Sequence, residues 1–143
     1  MEPRHHVIDI SVQLEYNISA FLAGYLNINY LESRSFRKSS SLSFQQKLNL
    51  ILDMKVLEKD QLEKLEIFGQ IRNKFAHDFD IKTYKDCFFS ESGLKKRLEK
   101  IYKHRNELIL ESDCEKIFIR LLKDIIYIGD LLIEKLRIKI LSK

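Results

Sequence analysis

Leu62-Glu63-Lys64-Leu65-Glu66-Ile67-Phe68-Gly69-Gln70-Ile71-Arg72-Asn73-Lys74-Phe75-Ala76-His77 is the stretch that decides the fold. Numbered from Leu62 at roughly 100° per residue, Leu62, Leu65, Phe68, Ile71, Phe75 and Ala76 fall on one arc, so the spacing predicts an amphipathic helix. Arg72 lands near the middle of that arc. A guanidinium there must be paired or must serve a purpose, because burying an unpaired charge is costly. Asn73 and His77 sit four apart on the flank of the arc, close enough to touch. On an ideal helix Arg72 and His77 are about 140° out of register. They converge on one site only if the helix ends or bends near Ala76, or if a second subunit supplies one of them.

These residue types support two readings. Histidine trades a proton near neutral pH, and arginine offers a fixed positive fork to a phosphate. Together they suit metal-independent RNA cleavage, His77 moving the proton and Arg72 holding the phosphorane charge. In the other reading Arg72 pairs with a buried carboxylate, and Asn73 and His77 bond to neighbouring backbone.

The remainder of the chain favours helices. Four Gly and one Pro in 143 residues leave few turn formers, which argues against a many-turned β fold. With 45% hydrophobic and 32% charged residues the composition is that of one folded domain over residues 1–143. The net charge of +4 is mild, and the lysines are scattered along the chain. Cys87 and Cys114 have no metal-ligand spacing, so neither a metal nor a cofactor is expected, and a reducing compartment is. Asp9, Gln13 and Glu15 interrupt any secretory h-region. Lys123, Asp124, Asp130, Glu134 and Lys135 punctuate the apolar C-terminal segment, which excludes a transmembrane helix. A cytoplasmic protein is the expectation.

Residues 7–26 carry Val7, Ile10, Leu14, Ile18, Phe21, Leu22 and Tyr25 at helical spacing, with Glu15 beside the stripe. His5 and His6 precede that helix as a solvated pair. Residues 27–42 read as a basic loop with a helical turn near Tyr30-Leu31. Ser43 reads as the cap of a helix bearing Phe44, Leu48, Ile51 and Leu52, and Asp60 with Glu63 as the capping pair of the motif helix. Asp78 to Gly93 has no clear period, and its aromatics read as a loop stapled to the core. Leu94, Leu98, Ile101, Tyr102, Leu108 and Ile109 mark a helix with a basic outer face (Lys95, Lys96, Arg97, Lys100, Lys103, Arg105). Asp113 reads as the cap of a last helix running to about residue 140. Its core stripe is Phe118, Leu121, Leu122, Ile125, Leu132 and Leu136. A second stripe, Ile119, Ile126, Ile133 and Ile140, repeats every seven residues, so this helix is either central to the bundle or shared with a partner, a homodimer among the options.

The segment Ile71-Arg72-Asn73-Lys74-Phe75-Ala76-His77 resembles the signature of the mannitol operon repressor family, and the likeness extends over roughly residues 5–90. More broadly, an Arg followed by His five positions on is similar to the motif of HEPN domains. That resemblance implies an all-α bundle of about five or six helices. Many HEPN proteins are metal-independent ribonucleases of toxin and antiviral systems that act as dimers, and the likeness would make Arg72 and His77 the catalytic pair with Asn73 as polar helper. One toxin branch has Tyr two residues after the His, where this chain has Phe79. The mannitol-repressor likeness instead implies a non-catalytic, protein-binding regulator: a transcriptional co-regulator, or an immunity protein that neutralises a toxin. It also suggests Glu15 as the core partner of Arg72. RNA is a partner only under the ribonuclease reading. Direct DNA binding through the basic connector and the 95–105 face is a third option, without an evident helix-turn-helix.

Overall fold

A computed structural model describes residues 2–37, 42–91, 93–102 and 110–142. Among them are six α-helices, one 3₁₀ turn and no strand: α1 Pro3–Tyr25, the turn Tyr30–Glu32, α2 Phe44–Met54, α3 Lys59–His77, α4 Tyr84–Ser90, α5 Leu94–Ile101 and α6 Glu111–Leu141. The all-α bundle that the resemblance implies is what the described residues form. No described helix is long and apolar enough to cross a membrane.

Helix α1 lies at the centre, against α6, α3 and α2. Its contacts with α6 climb in step along both helices. The His6 ring lies 6.0 Å from that of Phe118, a Cβ on Gly24 would meet Leu136 at 3.0 Å, and Lys139 Nζ donates to the Tyr25 carbonyl. The two helices therefore run parallel, and Gly24 lets them close up near their C-terminal ends. Arg4, at the start of α1, instead reaches the end of α3, so that pair is antiparallel. One hydrophobic cluster running from Val7 to Leu132 fills the space between them, with Phe21, Phe68, Phe75, Phe88 and Phe118 its largest apolar members.

Several element boundaries differ from the sequence expectation. Helix α1 starts at Pro3, in the first turn where a missing N–H costs nothing, and so takes in both histidines. His5 is exposed, but His6 turns inward, its Nδ1 3.3 Å from the Tyr84 hydroxyl. Ser43 caps α2 as expected, in a capping box with Gln46. The box that starts α3 is Glu58 with Gln61, two residues earlier than the Asp60–Glu63 pair. The aperiodic stretch contains α4, too short for its period to show. Thr83 starts it, and the carboxylate of Glu111 accepts from Tyr84 N and Lys85 N at 3.0 and 2.8 Å. Helix α6 is preceded by Leu110, and Asp113 lies within its first turn rather than at its cap. Lys103, Arg105, Leu108 and Ile109 lie outside the described residues, as does the run Ser39-Ser40-Ser41.

Candidate functional site

Helix α3 buries Leu62, Leu65, Ile67, Phe68, Ile71 and Phe75. In its second half the buried face has swung toward Ile67, Ile71 and Phe75, because an apolar stripe built on three- and four-residue steps drifts around a 3.6-residue helix. That swing carries Arg72 to the edge. It is partly exposed, and its Nη1 donates to Asn73 Oδ1 at 3.0 Å. Among the described residues no carboxylate lies within ion-pair distance of it.

The expected core pair of Glu15 and Arg72 is therefore not formed. Glu15 belongs to a different cation: Lys47 Nζ lies 3.2 Å from its Oε1, and Lys47 is only 2% exposed. The physical reason is access. Lys47 approaches from α2 through the core with a long apolar stem, while Arg72 stands at the rim. The signal for Lys47 was present in the sequence, since Phe44, Lys47, Leu48 and Ile51 follow the same three-and-four spacing that singled out Arg72.

Arg72 nevertheless shares a cavity with Glu15. Of about 250 Å³, it lies where α1, α2 and α3 meet. Phe44, Leu48 and Phe68 give it an apolar floor, with Ser11, Glu15, Gln45, Gln70, Arg72 and Asn73 around them. Gly69 also lines it, and a Cβ there would come within 3.1 Å of the Phe44 ring. A glycine inside a helix costs about 1 kcal/mol relative to alanine. Here it lets the Phe44 ring lie against the α3 backbone. Of the two carboxylates on this cavity, Glu15 is neutralised by Lys47 and Glu66 lies 3.9 Å from Arg97. Arg72 supplies the cavity's unmatched positive charge.

His77 faces elsewhere. It is exposed in the last turn of α3 and lines a second, more open cleft of about 380 Å³ with Asn73, Lys74, Asp78 and Glu91. Asn73 lines both spaces; Arg72 and His77 each line only one. The end of the helix is held by a residue that carries no local sign of this role in the sequence. The Arg4 guanidinium donates to the carbonyl oxygens of Phe75, of Asp78 at 3.1 Å and of Ile81 at 2.9 Å. A cation on those carbonyls satisfies orphan acceptors and complements the helix dipole. It also lies 5.4 Å from the centre of the Phe79 ring, which is otherwise exposed.

The basic face of α5 is partly spent within the molecule. Arg97 bonds to Gln70 at 3.2 Å and pairs with Glu63 at 3.6 Å, and Lys95 pairs with Glu99 at 3.7 Å. Arg37 in the connector donates to the Leu31 carbonyl. Cys87 and Cys114 are buried, and desolvation raises their thiols to about 12 and about 11. No group of three His, Cys, Asp or Glu placed to hold a metal occurs among the described residues. No family model matches the chain, and no similar curated protein or solved structure was found.

Proposed function

We propose that the protein is a non-catalytic, protein-binding regulatory module of the cytoplasm, resembling mannitol operon repressors. It would work as a transcriptional co-regulator or as an immunity protein that neutralises a toxin by direct binding. The observation that carries this reading is the division of the motif. Arg72 opens into an amphipathic cavity between helices, and His77 opens onto a separate cleft. An acid–base catalyst and its electrostatic partner must reach one reacting group. A recognition pocket needs something different: an apolar floor, a few polar groups at the rim and a charge left for the partner. The cavity of α1, α2 and α3 has these, and an acidic side chain of the partner suits the Arg72 fork.

A second reading keeps one specific observation in its favour. Asn73 bonds to Arg72 and lines the His77 cleft as well, so the three side chains form one continuous strip. A metal-independent ribonuclease would use that strip, with Arg72, Asn73 and His77 as its catalytic residues.

Two measurements separate the readings. A protein captured from host extract by the wild type and lost with Arg72→Glu supports the regulator. Cleavage of total cellular RNA that disappears with His77→Ala would replace it with the ribonuclease.

A further inference from the structure

Most polar groups lining the cavity between α1, α2 and α3 are already engaged inside the molecule. Ser11 donates to the Ile8 carbonyl at 2.7 Å, and Ser43 accepts from Gln46 N at 3.1 Å. Gln45 donates to Asn49 at 3.1 Å, and Gln70 accepts from Arg97 at 3.2 Å. Glu15 is held by Lys47. Arg72 and Asn73 differ. Arg72 gives one N–H of its guanidinium to Asn73 Oδ1, which leaves the rest of the fork and both N–H donors of the Asn73 amide side by side. Among the described residues no further hydrogen bond engages these donors.

A carboxylate answers such a set of donors, because its two oxygens lie in one plane and match the guanidinium fork. The ligand's charge is limited to one. Glu15 and Glu66 line the same cavity, and Arg97, 3.9 Å from Glu66, is shared with Glu63 at 3.6 Å. A second negative charge, as on a dicarboxylate or a phosphate dianion, would be set against these carboxylates. The floor fixes the body of the ligand. Phe44, Leu48 and Phe68 offer it apolar surface, and the two phenyl rings favour a flat aromatic group. At about 250 Å³ the cavity is smaller than the roughly 300–1,000 Å³ that drug-sized ligands occupy, which leaves room for one ring with a short acid arm.

We propose that this cavity binds a small aromatic monocarboxylate, its ring on Phe44, Leu48 and Phe68 and its carboxylate on Arg72 and Asn73. The site itself stands on the chemistry of the cavity. Its use in regulation rests on the proposed function: an acid held there takes the donors offered to the partner's acidic side chain, and so dissociates the complex.

Titration of the isotope-labelled full chain with phenylacetate should give saturable NMR shifts at the amides of Gly69, Gln70, Arg72 and Asn73. The expected Kd is about 1 mM or tighter, the scale of a ligand of about ten heavy atoms. Phenylacetamide keeps the shape without the charge, and acetate keeps the charge without the ring. Each should bind at least roughly tenfold more weakly. Arg72→Met should weaken phenylacetate to the level of the amide and leave the rest of the spectrum in place, since the bond it loses is to an exposed neutral amide. Equal affinity for acid and amide in the wild type, an undiminished response in Arg72→Met, or no saturable shift up to about 10 mM would overturn the site. Captured partner should be released by saturating phenylacetate and not by phenylacetamide. Retention of the partner at saturating acid would overturn the competition while leaving capture through Arg72, and the proposed function, in place. Capture that ignores Arg72→Glu would overturn the proposed function and leave the acid site in place.

Discussion

Lys47 and Arg72 are the same object in the sequence, a cation set on the apolar arc of an amphipathic helix. In the folded chain they are opposites. Lys47 is buried and bound to Glu15, whereas Arg72 is partly exposed and bonded to a neutral amide. Helical phase gives the direction in which a side chain leaves its helix. It does not give the depth of the helix at that point, nor which of two cations reaches a single carboxylate first. Glu15 serves Lys47, and Arg72 has no carboxylate within ion-pair distance among the described residues.

Removing Glu15 should break the comparison hardest. With Glu15→Ala, Lys47 is left buried and unpaired, and a loss of roughly 3–5 kcal/mol is expected in chemical denaturation. Lys47→Met, which removes the charge and keeps the stem, should recover most of that loss in the Glu15→Ala background. Glu111→Ala should cost less, about 1–2 kcal/mol, by freeing the two amide donors at the start of α4. Its effect should stop there and leave partner capture through Arg72 unchanged.

Burial acts on neutral acids as well. Cys87 and Cys114 are held protonated in the fold, with values of about 12 and about 11 against an ordinary 9.0. The unfolded chain therefore ionises first. Stability is fully present below pH 9 and falls as pH rises toward 11 and 12, by roughly 1 kcal/mol per thiol at pH 10. A melting series from pH 7 to pH 10 would show the decline, and a thiol reagent at pH 7 should find neither cysteine without denaturant. The smallest effect is expected at Arg72 itself. Arg72→Ala should shift stability by less than about 1 kcal/mol, the bonded neighbour being a solvent-exposed amide.

The fold was largely legible from the sequence because its long helices repeat their pattern several times. The stripes of α1, α3 and α6 and the Ser43 cap could be read directly. Helix α4 could not, since seven residues hold fewer than two turns and its start depends on Glu111, distant in sequence. The hold of Arg4 on the end of α3 spans 71 residues and leaves no local trace. At the candidate site the motif residues were legible individually. Their separation was half visible in the 140° offset, whereas the pairing of Glu15 required knowing where α2 lies.

A double-mutant cycle on Glu15 tests the centre of this picture. Glu15→Ala is combined in turn with Lys47→Met and with Arg72→Ala, and unfolding free energies are measured for all variants. Coupling of Glu15 to Lys47 by more than about 2 kcal/mol, with near-additivity for Glu15 and Arg72, is expected. Coupling of Glu15 to Arg72 as strong as that to Lys47 would mean that the motif arginine is committed to the core, and that the cavity offers no charge to a partner.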